Sequence, residues 1–483
     1  MIVYLLNHTF HYETEKVIRI FYPNASLDFT DELPQGDITG DFIRTLVDER
    51  PDKINVSALV SIGGEEISHD ITLDDGADEK AREKYLAVCL YHCLSSLTGL
   101  KPPWGILTGV RPAKLMARHI REGSPEEAVK YFEDVLLVSP QKSRLACEVA
   151  LAEEKITENA GKNDFSLYVS IPFCTTRCSY CSFVSHSIAS ASALLVPYTD
   201  CLCREIGLLG RIAREKELNL KSVYVGGGTP TAIGARELER ILAAITSSFD
   251  IKSDTEFTVE AGRPDTISRE KLSVMKNASV NRISVNPQTF SDEVLRNIGR
   301  SHSSSQVYDA FALARSSGFD NINMDLIAGL PGDSVEGFAL SVKSAIGLEP
   351  ENITVHTLAL KRSSELATEK KYDMSGGRTD EMLNTGYSLL RSAGYSPYYM
   401  YRQSKSSGNL ENTGWTVPGK FCAYNVYQME ETHSVFAAGA GAVTKLVFDP
   451  VTDVRRVFNF KYPYEYINRF SEILERKSVS LGG

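Results

Sequence analysis

No apolar run in this 483-residue chain approaches the length of about eighteen that a membrane-crossing helix needs, which excludes a membrane span. The start, Met1-Ile-Val-Tyr-Leu-Leu-Asn-His8, lacks a basic segment, and its apolar stretch is too short for a secretory signal, so a cytoplasmic protein is expected. Cationic excess is missing as well. With 52 Lys and Arg against 62 Asp and Glu, the net charge of −10 argues against a nucleic-acid binder. The spacing of candidate elements is too uneven for a repeat protein. Nine cysteines, three of them in one loop, fit a reducing cytosol better than a disulfide framework. What remains is ordinary globular material, 42% hydrophobic and 24% charged, long enough for roughly two to four domains.

The informative loop is Cys174-Thr-Thr-Arg-Cys178-Ser-Tyr-Cys181, just after an apolar strand-like run from Leu167 to Ile171. Three soft thiolates in one tight loop suit an iron–sulfur cluster, and three ligands on a four-iron cubane leave one iron open. A zinc site would need a fourth ligand. Cys201 and Cys203 follow, but Tyr198-Thr-Asp-Cys-Leu-Cys-Arg-Glu205 has a helical pattern in which i and i+2 point apart. The C-x3-C-x2-C spacing, with Tyr180 before the last cysteine, resembles the radical S-adenosylmethionine (SAM) enzymes. That resemblance implies a [4Fe–4S] cluster on Cys174, Cys178 and Cys181, with SAM on the open iron.

Residues 1–160 read as an α+β extension. Ile54, Val56, Ala58, Val60 and Ile62 alternate with small or polar residues, and Gly63-Gly64 turns the chain into a second strand ending near Leu73. A helix is expected over 78–97, and Pro112 suits the first position of another. From 165 to 395 strand and helix patterns alternate, with strands expected at 166–171, 221–225, 255–261, 281–286, 320–328 and 352–358. Six such units predict an α/β fold, an incomplete (β/α)6 barrel. Residues 396–483, rich at first in Tyr, Ser and Gly, are expected to form a C-terminal α+β cap ending in a helix near 463–476.

Barrel sites are built at the C-terminal ends of strands. The first strand delivers the cysteine loop, and the second runs into Gly226-Gly-Gly-Thr229-Pro-Thr231. Those glycines are either a tight turn or a close backbone approach to a ligand; no Gly-Lys-Ser/Thr follows, so they are not a Walker loop. The third strand ends on Glu260, the fourth on Gln288, the fifth carries Asp325 among apolar neighbours, and the sixth ends at Thr357-Leu-Ala359. Asp325 must be paired or ligand-bound to stand there.

Tyr168-Val-Ser-Ile-Pro-Phe-Cys174, Gly226-Gly-Gly-Thr-Pro-Thr231 and Asn323-Met-Asp-Leu-Ile-Ala-Gly-Leu-Pro331 together resemble the oxygen-independent coproporphyrinogen-III oxidase (coproporphyrinogen dehydrogenase) family of radical SAM proteins. Leu107-Thr-Gly-Val-Arg-Pro112 and Gly408-Asn-Leu-Glu-Asn412 are similar to its HemZ-type branch. The resemblance implies SAM contacts at Tyr168, Gly227, Glu260, Gln288, Arg300, Asp325 and Val443, and a second SAM at Tyr180, Gly228, Thr229 and Ala359. It implies oxidative decarboxylation of coproporphyrinogen III to protoporphyrinogen IX in heme biosynthesis: a 5′-deoxyadenosyl radical takes hydrogen from a propionate, and loss of carbon dioxide and an electron leaves a vinyl group. A low-potential electron donor is implied with it. Two departures keep alternatives open. Phe183 stands where the dehydrogenase pattern has a fourth cysteine, as in the related heme chaperones; Tyr424-Asn425 stands where those chaperones carry His-Asn. The chain is therefore expected to be a porphyrinogen-decarboxylating enzyme, a heme-delivery protein without turnover, or a radical SAM enzyme acting on heme. Substrate carboxylates need cations, and Arg177, Arg402 and Lys405 are the candidates, the last two in a segment expected to fold over the barrel mouth.

Overall fold

A computed structural model describes residues 1–35, 38, 40–181, 186–359, 376–403, 406–449 and 452–482. The chain divides into two compact units. The first is Met1–Glu148 with Arg402–Glu411 and a short piece ending at Asp380; the second takes the rest.

In the first unit, β1 (Ile2–Leu6), β2 (Asp28–Thr30), β3 (Phe42–Arg50), β4 (Lys53–Ile62) and β5 (Glu65–Asp74) form one sheet ordered β2-β1-β3-β4-β5. Gly63 and Gly64, both at positive φ, close the β4–β5 hairpin, in which Ile62 faces Glu65. The helix Glu79–Thr98 starts on Asp78, whose carboxylate accepts from Ala81 N, and ends at Gly99 in the left-handed region. It buries Leu86, Cys89, Leu90, Cys93 and Leu94. Pro112 opens the helix Pro112–Glu122 as expected. The sequence did not announce β1 to β3 or the helix His11–Phe21.

The second unit holds an eleven-stranded sheet. Its centre is six parallel strands: β6 (Asp164–Ile171), then, after the short pair β7 (Phe173–Cys174) and β8 (His186–Ser187), β9 (Asn219–Gly227), β10 (Glu256–Glu260), β11 (Arg282–Ser284), β12 (Ile322–Ala328) and β13 (Asn352–Thr357). Helices including Ile188–Glu215, Ala235–Ser248 and Val335–Gly347 fill the crossovers. This is the expected incomplete (β/α)6 barrel. The region expected as a cap supplies both flanks of the same sheet. β14 (Ser396–Arg402) and β15 (Glu411–Thr416) extend it beyond β13; β16 (Ser434–Ala438), β17 (Val443–Asp449) and β18 (Asp453–Phe458) extend it beyond β6. β16 runs parallel to β6.

The two-residue period of the strands sorts the side chains. Leu167, Val169, Val223, Val225, Phe257, Val259, Met324, Leu326, Ile353 and Val355 are fully buried. The alternate positions, Tyr168, Tyr224, Glu260, Asp325 and His356, keep accessible surface on the other face. No helix among the described residues is long and apolar enough to cross a membrane.

Candidate functional site: a cysteine loop over a tyrosine-walled barrel

The loop after β6 buries Cys174 and Cys178 and leaves Cys181 half-buried. It is fixed by backbone bonds: Cys181 N donates to Cys178 O at 3.0 Å and Ser179 N to Ile298 O at 3.1 Å. Donors surround the sulfurs. Thr229 Oγ1 lies 3.5 Å from Cys174 Sγ, and Arg263 Nη2 donates to Cys178 Sγ at 3.0 Å. Arg300 donates through Nη2 to Tyr180 OH at 3.1 Å, while its Nε and Nη1 are buried without a partner. Three thiols in one loop, with donors at Cys174 and Cys178, beside a guanidinium with bonding capacity left over, fit a thiolate-bound cluster and an anionic ligand next to it. Among the described residues no three His, Cys, Asp or Glu side chains converge as a single-ion site. A polynuclear cluster needs no such convergence, because each ligand holds a different iron. Cys201 and Cys203 lie on the helix Ile188–Glu215, as their pattern predicted.

The glycine run packs against this loop. Gly227 sits at φ +111°, and a Cβ there would meet Ile171 N at 3.0 Å and Ser170 Oγ at 3.0 Å. A Cβ on Gly228 would come within 2.5 Å of Phe173 O and 3.0 Å of Cys174 Sγ. Both glycines are thus required by the approach of β9 to β6 and to the first cysteine. A valine at 227 would disturb that packing as well as any ligand. Thr229 N donates to Phe173 O at 2.7 Å, tying the run to the cysteine loop.

Further in, Tyr168, Tyr224 and Tyr424 form a near-parallel stack, with 6.3 Å between the first two centroids and 4.6 Å between the last two. Tyr224 OH donates to Glu260 Oε1 at 2.6 Å. Burial pushes the Glu260 carboxyl up to about 7, against the pull of that bond. Asp325 accepts from Asn323 Nδ2 at 2.7 Å, with His356 Nε2 3.8 Å away. Burial alone would raise Asp325, but His356, Asn323 and Thr354 outweigh it and hold the carboxyl below its usual range. Desolvation would lower His356, but Asp325 and Asn412 outweigh it and raise the imidazole above its ordinary value. The side chains of Asp325 and His356 keep 20% and 26% of their surface. Asp325 is therefore paired, as an aspartate in an apolar strand must be, and still reachable.

The structure groups the remaining candidates unevenly. Gln288, in the left-handed region at φ +69°, is bound through its backbone N to Asp325 O. Tyr180 packs on a core of Val294, Leu295, Ile298, Ile327, Leu330 and Leu358. Ala359 follows β13, and Val443 opens β17 opposite Phe458. Phe183 and Lys405 lie outside the described residues.

Arg402 corrects an expectation. It is no lid cation: 2% exposed, it donates to Leu107 O, Gly109 O and Asn409 O and lies over Trp104. Burial lowers its pKa to about 10. Arg177 is exposed. His433 is structural, 2.8 Å from Ser166 Oγ and pushed down to about 4 by burial. Two residues of the site escaped sequence reading: His356 and Arg263. Both stand at or just after strand ends, where the barrel rule would have found them had it been applied to cations as well as carboxylates.

The radical SAM superfamily matches residues 168–345. The chain is 34% identical over 478 residues to the oxygen-independent coproporphyrinogen-III oxidase-like protein HemZ of Bacillus subtilis (strain 168), covering 97% of this chain and 94% of that one. It is 38% identical over 197 residues to the heme chaperone HemW of the same organism, 41% of this chain and 51% of the relative. Among solved structures, coproporphyrinogen III oxidase (HemN) from Escherichia coli, a radical SAM enzyme, matches with a TM-score of 0.53 at 22% identity, over 67% of this chain and 72% of that one. That last likeness is one of fold. Membership of the superfamily implies a [4Fe–4S] cluster and SAM. With similarity to a HemZ-type relative over nearly its whole length, the chain belongs to the oxygen-independent coproporphyrinogen-III oxidase family of radical SAM proteins, in its HemZ-type branch.

Proposed function

We propose that this protein is an oxygen-independent oxidoreductase that decarboxylates propionate side chains of coproporphyrinogen III. The observation that carries this reading is the group of near-parallel rings of Tyr168, Tyr224 and the buried Tyr424, the first two keeping accessible surface, beside Glu260, Asp325 and His356 on the polar face of the strands of which the first leads into the cysteine loop. Cys174, Cys178 and Cys181 would hold the cluster. Gly227, Glu260, Gln288, Arg300, Asp325, Tyr168 and Val443 would hold SAM; Tyr180, Gly228, Thr229 and Ala359 would hold a second. When bound, these cofactors supply a carbon radical that takes hydrogen from a propionate, which then loses carbon dioxide and passes one electron to an acceptor, leaving a vinyl group.

The chain's own residues set the stage. Glu260, titrating near neutral pH, can accept from an ammonium or a ribose hydroxyl. Arg300 offers two unused donors to a carboxylate. The tyrosine rings give a flat, water-poor wall to a macrocycle. A second reading, heme binding and delivery without turnover, is favoured by the 38% identity to a heme chaperone. Against it, Tyr424 is a poorer iron ligand than histidine and is committed to the ring stack, and His433 is committed to Ser166. Anaerobic reconstitution with SAM and a one-electron reductant tests the choice. Vinyl-bearing product from coproporphyrinogen is expected; heme bound tightly with no product from coproporphyrinogen would replace the first reading by the second.

A further inference from the structure

Arg263 is the most completely engaged cation near the cysteines. It follows the end of β10 in Glu260-Ala-Gly-Arg263 and is 3% exposed. Nη1 donates to Thr175 Oγ1 at 2.9 Å and Thr176 Oγ1 at 2.6 Å. Nη2 donates to Thr176 O at 2.9 Å and to Cys178 Sγ at 3.0 Å. A guanidinium is planar and fixed in charge, so this fork does two things at once. It staples the loop, and it aims one positively charged N–H at one sulfur. Cys174, by contrast, meets the neutral Thr229 hydroxyl at 3.5 Å.

We infer that Arg263 sets the reduction potential of the cluster through its bond to Cys178. This rests on the assignment of the three cysteines as cluster ligands. Adding one electron from a low-potential donor makes the cluster more negative, and that charge spreads onto the cysteine sulfurs. A cation and an N–H at one sulfur stabilise the reduced form more than the oxidised one, as hydrogen bonds to cluster sulfurs do generally. The arginine therefore eases the electron's entry. It is a tuning residue and touches no substrate.

The test is the midpoint potential of the reconstituted protein, read by the EPR signal of the reduced cluster during a dithionite titration. Arg263→Gln removes the charge. Its cluster should be harder to reduce by at least tenfold in the reduction equilibrium, a shift of about 59 mV to more negative potential for a one-electron couple. Thr176→Val loosens the loop while leaving the bond to sulfur, and its potential should stay with the parent's. If Arg263→Gln loads no cluster, Arg263→Lys is measured instead; an ammonium has three N–H groups for the four acceptors that the fork serves from two nitrogens, so the bond to Cys178 should weaken and a smaller shift in the same direction is expected. An unchanged potential in the loaded Arg263 variant overturns the inference, and so does an equal shift in Thr176→Val. Failure of the ligand assignment looks different: Cys178→Ala would then still load its cluster.

Discussion

Two buried charge clusters in the second unit are built to opposite specifications. At Glu205 each carboxylate oxygen accepts from two donors. Oε1 accepts from Asn459 Nδ2 at 2.8 Å and Lys477 Nζ at 2.9 Å; Oε2 accepts from Gly439 N at 2.9 Å and Tyr466 OH at 2.6 Å. Lys477 reaches Ala437 O and Thr444 Oγ1 as well, and both charged side chains are fully buried. At the barrel mouth the balance is left open. Asp325 and His356 stay 3.8 Å apart and reachable, Glu260 is pushed towards neutrality, and Arg300 keeps two buried donors without partners. A satisfied cluster holds a fold together; an unsatisfied one in reach of solvent is a place kept for a ligand.

The largest effect expected from this contrast is at the cysteines. Cys178→Ala should abolish the cluster absorbance and SAM cleavage outright, while Cys201→Ser, on its helix, should leave both unchanged; ultraviolet–visible spectra of the reconstituted variants decide it. Next comes the satisfied cluster. Glu205→Ala strands a buried lysine and should lower unfolding free energy by about 3–5 kcal/mol in a urea titration. Arg402→Ala removes charged bonds to three carbonyls and should lower stability by roughly 2–3 kcal/mol, yet leave coproporphyrinogen affinity where it was. A tenfold loss of affinity there would restore Arg402 to the substrate site.

The smallest effect is a matter of pH. Glu260 titrates at about 7 in the folded protein against 4.5 ordinarily, so the folded state binds the extra proton in that interval. Stability should fall as pH rises from about 4.5 to 7 and level off above. Glu260→Gln should lack that slope. SAM affinity should run the other way, tightening as the carboxylate forms near pH 7 in the parent and staying flat in the variant; isothermal titration at several pH values separates the two.

The sequence made the barrel legible because its strands are apolar on their outer faces and begin and end on turn residues. Strands expected at 221–225 and 352–358 lie at Asn219–Gly227 and Asn352–Thr357. The three cysteines were legible for the same local reason, as one short spacing. What escaped was non-local. Nothing in Arg402 itself says that Leu107 and Gly109 will present carbonyls to it, and a cation in a Tyr- and Ser-rich stretch reads as solvated. Likewise, Phe436 and Ala437 show no period that tells a cap strand from a partner for β6; pairing decides it. The glycine run was half legible: the need for glycine was plain, but its cause, the nearness of Ile171 and Cys174, lay across two strands.

The pairing of β6 with β16 also bears on the order of assembly. β6 carries the cysteine loop, and until residues 434–438 arrive it is hydrogen-bonded on the β9 side alone. A chain growing from its N-terminus therefore emerges with its three loop thiols hung on an open sheet edge while residues up to 434 are made. On the ligand assignment proposed above, a cluster would have either to wait for that stretch of chain or to enter a half-built barrel, with the thiols open to oxidation until the late strand arrives.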